Sequence, residues 1–257
     1  MVDAGETLDG YVIDREIGRG GHATVYQGHA PHRAGQPVAL KVLAPEHRSP
    51  TEQARLDREF RLAHGLSHPH IVTMYEHGEF WLAMQFVDGG NSTQLQSQRD
   101  RLKALAQIGG ALDYLHENGI VHADVKPANI LVAKDFSHNG AVLIDFSAAR
   151  AVVDHPKDHQ ASLQYVAPEI LCGHAPTAAT DEYALACSAV ELLTGTPPFV
   201  ADTRRELVDA HLLGVPPRTA GASRAFDTVV AKAMARDPEV RYQSCSQFVE
   251  HLTRALG

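Results

Sequence analysis

Eight consecutive residues near the middle of the chain, His122-Ala123-Asp124-Val125-Lys126-Pro127-Ala128-Asn129, gather a carboxylate, an ammonium and a carboxamide into one short segment. Each group suits a part of one reaction. A carboxylate such as Asp124 can orient a hydroxyl and take its proton. Lys126 can sit against a phosphoryl oxygen, and the side-chain carbonyl of Asn129 can ligate a hard cation such as Mg²⁺. The apolar run Ile130 to Val132 follows, and a second one, Val142-Leu143-Ile144, delivers Asp145 at the end of a short strand. Asp145 is then a second oxygen ligand at loop distance from the first. Base, phosphate clamp and metal ligands are together the parts of a phosphoryl transfer. Taken singly, a His-x-Asp is more often a turn and an Asp-Phe-Ser after a strand more often a strand cap, so the weight falls on order and spacing along the rest of the chain.

Composition narrows the field. With 257 residues, 44% of them hydrophobic, the chain can bury a full core as one large domain or two apposed lobes. No run reaches the roughly 18 apolar residues of a membrane helix, and the acidic Met1 to Gly10 is unlike a signal peptide, so no membrane segment and a cytoplasmic location are expected. A net charge of −8 argues against a nucleic-acid binder. Cys172, Cys187 and Cys245 are widely spaced with no Cys-x-x-Cys, which reads as reduced thiols. Histidines cluster at His64, His68 and His70 and at His155 and His159, but no His-Glu-x-x-His occurs; solvated or capping roles are expected.

The elements that must position these groups are visible as patterns. Tyr11-Val12-Ile13 and Val25-Tyr26 read as strands flanking the glycine-rich turn Ile17-Gly18-Arg19-Gly20-Gly21-His22-Ala23-Thr24. Glycines there let backbone N–H groups approach phosphate oxygens, and the strand after them disfavours a dinucleotide fingerprint, which requires a helix. The strand Pro37 to Leu43 places Lys41 among apolar residues, where an ammonium is costly without a partner. A helix with Ser49 as N-cap, Pro50 at its first position and Gly65 beyond its end puts Leu56, Glu59, Phe60 and Ala63 on one face, so Glu59 points inward. A second helix is predicted over Asp100 to Gly119, burying Leu102, Leu105, Ala106, Ala111, Leu112 and Leu115. Asp181 opens an apolar helix ending at Gly195, and three more helical patterns fall near 203–213, 223–235 and 245–256.

From residue 11 to about 255 this order resembles the protein kinases, and most closely the bacterial Hanks-type serine/threonine kinases. The resemblance implies an α+β fold of two lobes: a β-rich N-lobe over about 11–84 with one main helix, a hinge over 85–90 and a helical C-lobe over 91–257. It implies ATP and Mg²⁺ or Mn²⁺ as cofactors, and protein substrates with Ser or Thr acceptors. It admits a homodimer. In that frame Asp124 and Lys126 are catalytic, and Asn129 and Asp145 hold the metal. Residues Ile17, Gly18, Arg19, Gly20, Gly21, His22, Ala23, Thr24 and Val25 would cover the nucleotide, with Ala23 standing where the family has its third glycine. Lys41 paired with Glu59 would hold phosphates, Met84 would be gatekeeper, Gln85 and Val87 would meet the adenine edge by their backbone, and Ala39 and Val25 would flank the ring opposite Leu131. Ser67 to Val72 would lead into the fourth strand. Ala167-Pro168-Glu169 would end the activation segment, with Glu169 paired to Arg241, and Asp181 would accept backbone N–H bonds from the catalytic loop.

Two departures bear on regulation. Ala123 stands where many kinases carry the arginine that receives an activation-segment phosphate, the non-RD pattern, and residues 151–161 contain no Ser, Thr or Tyr. Ser147 replaces the glycine after Asp-Phe, which stiffens that pivot. Rival readings are a small-molecule phosphotransferase on a related fold and a pseudokinase scaffold. The Ala167-Pro168-Glu169 segment with Ser162 and Tyr165 before it speaks against the first, and the five polar residues Lys41, Asp124, Lys126, Asn129 and Asp145 against the second.

Overall fold

The structure is a computed structural model, and it describes residues 4–30, 35–151, 162–216 and 223–257. The chain forms two units, Met1–Asp88 and Gly89–Gly257.

The first unit is an antiparallel sheet of six strands with one long helix. Its strands are β1 (Thr7–Leu8), β2 (Tyr11–Arg19), β3 (Ala23–His29), β4 (Pro37–Leu43), β5 (Met74–His77) and β6 (Trp81–Gln85), in spatial order β1-β2-β3-β4-β6-β5. The helix α1 (Pro50–Ala63) lies between β4 and β5 in the chain. Alternation assigns the two faces of the sheet. Val38, Leu40 and Val42 of β4 join Tyr11, Ile13, Tyr26, Trp81 and Ala83 in one apolar cluster. The other face packs Ala23, Leu43 and Leu82 against Leu56 of α1, with Phe60 beside them. β4 is central, so Lys41 cannot escape as an edge residue would. The ends of α1 follow local chemistry: the Ser49 hydroxyl accepts from Glu52 N at 3.3 Å, and Gly65 at φ +95° takes the left-handed turn that a side chain would resist.

The second unit is helical around two short strand pairs. Its strands are β7 (Ile120–Val121), β8 (Ile130–Val132), β9 (Ala141–Leu143) and β10 (Arg150–Ala151); β8 pairs with β9 and β10 with β7. Its helices are α2 (Gln98–Glu117), α3 (Phe136–Asn139), α4 (Pro168–Leu171), α5 (Ala178–Thr194), α6 (Arg204–Leu213), α7 (Arg224–Ala233) and α8 (Cys245–Leu256). The last three agree with the expected 203–213, 223–235 and 245–256, each started by a hydroxyl cap from Thr203, Ser223 or Ser244.

Two expectations need correction. In α2 the buried stripe runs through Ala104, Leu105, Ile108, Ala111, Leu112 and Leu115, whereas Ala106 is exposed and Leu102 only half-buried. At about 100° per residue Ala106 falls off that stripe, and alanine's small side chain gave no sign of which side it occupied. Helix α5 begins at Ala178 rather than Asp181, because Thr177 and Thr180 form a reciprocal cap. Among the described residues no helix is long and apolar enough to cross a membrane.

Candidate active site

In the first unit the strand register gathers the apolar and basic residues singled out by sequence. Directly opposed residues of antiparallel strands share a face. Gly18 faces Val25, Val25 faces Lys41 and Ala39 faces Met84, so Val25, Ala39, Lys41 and Met84 form one patch. Onto this patch comes Glu59 of α1, with only 3% of its surface exposed. Lys41 Nζ reaches both of its carboxylate oxygens at 2.9 Å. A buried carboxylate without this partner would carry a heavy desolvation cost, so strand and helix hold each other's charge.

The glycine-rich turn is closed by Gly20 N donating to Ala23 O at 2.8 Å, and His22 O accepts from Ala44 N at 3.0 Å. Ile17 is partly exposed, and Arg19 turns its guanidinium to Glu16 at 2.6 Å. A Cβ added to Gly18 or Gly21 would meet nothing within 4 Å, and at Gly20 only ordinary contact at 3.5 Å. None of these three has a left-handed backbone. Neither packing nor conformation within the unit therefore demands glycine there. Thr24 is buried at the start of β3, and Gln85 N donates to Thr73 O at 2.9 Å, with Val87 buried just beyond.

In the second unit the segment between β7 and β8 is held as a compact polar knot. Lys126 Nζ donates to Asp124 Oδ2 at 2.6 Å, and Asn129 Nδ2 donates to Asp124 O at 2.8 Å and to Oδ2 at 3.0 Å. Asn129 is buried and its backbone carbonyl accepts from Ile144 N at 2.9 Å, which ties the segment to the residue before Asp145. Asp145 itself is at φ +65°, an uncommon conformation for a non-glycine residue and one that clusters at functional sites. Leu131 lies in β8, bridged to Asn91. After Asp145, Phe146 is fully buried, and Arg150 gathers the carbonyls of Ala148 at 2.8 Å and Ala149 at 2.7 Å, closing that turn.

Asp181 anchors the knot from α5. Fully buried, it accepts from His122 N and Ala123 N at 2.8 Å each and from His116 Nε2 at 2.8 Å. Ala123 is at φ +63°, so this carboxylate holds a strained residue immediately before Asp124. Glu169 meets Arg241 in a two-pronged buried pair at 2.9 and 2.8 Å, and Thr180 Oγ1 adds a third bond at 3.0 Å.

Sequence reasoning missed three participants. Ser162 Oγ accepts from Lys126 Nζ at 2.7 Å and its N donates to Asp124 Oδ1 at 3.3 Å. The His122 ring, wholly buried, bonds Ile144 O at 3.1 Å and lies edge-on to Phe146. His116 is the third. His122 was signalled by its place two residues before Asp124, whereas no local pattern announces the other two. His155, His159 and the rest of 152–161 lie outside the described residues.

A buried carboxylate holding the loop that carries Asp124, Lys126 and Asn129, an Asp145 loop tied to it, and a lysine–glutamate pair on a curled sheet define the protein kinase fold. Residues 11–252 match the protein kinase domain model, so the chain belongs to the protein kinase family. It is 39% identical to the serine/threonine-protein kinase PknJ of Mycobacterium tuberculosis over 99% of its own length and 47% of that protein. Against PknF of Mycobacterium tuberculosis it is 37% identical over 98% of its length and 58% of that protein. The chain thus spans about half the length of these curated relatives. The crystal structure of the Mycobacterium tuberculosis PknI kinase domain matches with a TM-score of 0.77 at 31% identity, covering 100% of both chains. These relatives are bacterial Hanks-type kinases.

Proposed function

We propose that this chain is a serine/threonine protein kinase that transfers the γ-phosphoryl group of ATP to protein hydroxyls. The observation that carries the reading is the knot of Asp124, Lys126 and Asn129, joined through Ile144 to Asp145. Lys126 and Asn129 both engage Asp124 Oδ2, which fixes the carboxylate so that it can orient an acceptor hydroxyl and take its proton. Lys126 beside it would neutralise a transferring phosphoryl group. Lys126 two residues after the base is also the serine/threonine pattern.

The donor set fits a hard cation. Asn129 spends its amide nitrogen on Asp124, which leaves its carbonyl oxygen as a ligand, and Asp145 supplies carboxylate oxygens. Mg²⁺ or Mn²⁺ held by these two residues would supply charge neutralisation on the nucleotide phosphates. The glycines at 18, 20 and 21, unneeded by the unit's own packing, suit a turn that ATP phosphates approach closely. Lys41, oriented by Glu59, would bind phosphate oxygens, and Val25, Ala39 and Met84 would supply apolar cover for the base. Gln85 would offer its carbonyl and Val87 its backbone to the adenine edge.

Activity of this kinase would not depend on phosphate in the activation segment. Ala123 supplies no cation to receive one, and residues 151–161 supply no hydroxyl to carry one. Ser162 is already engaged by Lys126 and Asp124. Two measurements test the proposal. Asp124→Asn should retain the fold and nucleotide binding and lose transfer by about 10²–10⁴-fold; full transfer by this variant would refute the catalytic assignment. Protein co-expressed with a phosphatase, shown by mass spectrometry to be free of phosphate, should transfer without a lag. A lag that ends only when phosphate appears on residues 147–169 would refute the independence.

A further inference from the structure

Helix α2 turns one stripe of residues, Gly109, Asp113 and His116, toward the start of α8. The approach is close: a Cβ at Gly109 would lie 3.3 Å from the Cys245 carbonyl. It brings Cys245 Sγ, one carboxylate oxygen of Asp113 and one ring nitrogen of His116 within 4.8 Å of one another. We propose that Asp113, His116 and Cys245 form a second metal site, separate from the phosphoryl-transfer residues, for a borderline divalent cation of the Zn²⁺ class.

The donor set selects the cation. One oxygen, one imidazole nitrogen and one thiolate sulfur suit Zn²⁺ or Co²⁺, whereas Mg²⁺ requires oxygen ligands and would not compete. The geometry is also prepared from behind. Both Asp113 oxygens are held by backbone donors, Cys245 N at 2.8 Å and Ser246 N at 3.0 Å, each leaving a further lone pair. His116 is paired through Nε2 with the Asp181 carboxylate at 2.8 Å, and carboxylate–imidazole pairs of this kind orient histidines in zinc sites. The Asp113 carboxylate at Cys245 N and the Asp181 carboxylate at His116 Nε2 place negative charge around the three donors, which favours a cation among them. Cys245 is 1% exposed, while Asp113 and His116 are half-buried, so a cation can enter from their side and keep a water in its fourth position. On binding, the Cys245 thiol proton leaves to solvent as the sulfur–cation bond forms, with no change in oxidation state. The bound cation would pin α2 to α8 and, through His116, brace the carboxylate that holds His122 and Ala123.

Co²⁺ is the probe, added to the whole chain after treatment with a chelator. The expected result is a thiolate-to-Co²⁺ charge-transfer band that saturates at one equivalent, disappears on adding one equivalent of Zn²⁺, and accompanies a higher Tm. Cys245→Ser should lose the band and weaken Zn²⁺ binding roughly tenfold or more, and Cys172→Ser, which alters an exposed thiol, should keep both. Absence of the band in the unaltered protein would overturn the proposal whatever the variants do, and so would a band that survives Cys245→Ser.

Discussion

Replacing Asp181 with asparagine keeps the size of the side chain and removes one acceptor from a site with three donors. The carboxylate is fully buried and satisfies Ala123 N through Oδ1 and both His122 N and His116 Nε2 through Oδ2, all at 2.8 Å. In the variant the amide oxygen can face the pair of donors, and its NH₂ group must then face Ala123 N. A buried donor left unsatisfied costs about 1–3 kcal/mol. The two bonds that remain change from charge-assisted to neutral, which roughly halves each. Together the loss is about 3–4 kcal/mol, or roughly 6–16 °C in Tm for a chain of this size. The damage should be local as well as global. Ala123, held at φ +63° against its own preference, would relax and shift the backbone of Asp124. A displacement near 1 Å is enough to lower transfer by about 10²-fold. Ala123→Gly in the same background should recover about 1 kcal/mol, because glycine accepts that conformation without strain. Urea unfolding and steady-state transfer on the two single variants and the double variant are the assay. A stability loss under about 1 kcal/mol, or transfer unchanged by Asp181→Asn, would refute the anchoring argument.

Lys41→Met and Glu59→Gln should each reduce transfer, Lys41→Met with a loss of stability as well because it leaves Glu59 buried without its cation, and a double-mutant cycle on transfer rate should show strong coupling because the two side chains act as a pair; strictly additive losses would contradict this. Arg241→Ala should destabilise by about 3–5 kcal/mol, since it leaves Glu169 buried without its cation, and thermal melts read the loss directly. Glu182 is pushed up to about 8, chiefly by burial, while its unfolded value is near 4.5, so the folded state holds the proton across that window and stability falls as pH rises from about 4.5 to 8. Glu182→Gln still accepts from Tyr242 N and should remove most of that loss, about 2–3 kcal/mol at pH 8 after allowance for solvent screening. His211, lowered to about 4 by burial, has the opposite sign, and its contribution is lost as pH falls from 6.5 towards 4. Unfolding curves between pH 5 and 8.5 that run parallel for the Glu182→Gln variant and the parent would disprove the Glu182 assignment.

What the sequence made legible were groups whose partners follow from one periodicity at a time. Lys41 among alternating apolar residues and Glu59 on the apolar face of a capped helix each asked for an opposite charge, and the packing of α1 on the sheet brings them together. Asp124, Lys126 and Asn129 were legible because five residues of chain already set their spacing. The partners that were not legible are separated by tertiary distance: Ser162 from Lys126 by 36 residues, Asp181 from His116 by 65, and Cys245 from Asp113 by 132. The last two contacts depend on how α2, α5 and α8 cross, and neither a strand nor a helix period encodes a crossing. Ala123 shows the limit most clearly. By residue type it signified only a missing cation, and in the fold it is a strained backbone position held by a carboxylate from α5. That strain explains why Asp181 sits wholly buried at the expense of solvation. Its charge is spent on two backbone N–H groups and one imidazole, and those bonds fix the peptide that aims Asp124. Orientation of the base is therefore a property of the α2–α5 packing as much as of the loop that carries it, and perturbations at His116 should reach Asp124 without touching any residue of that loop.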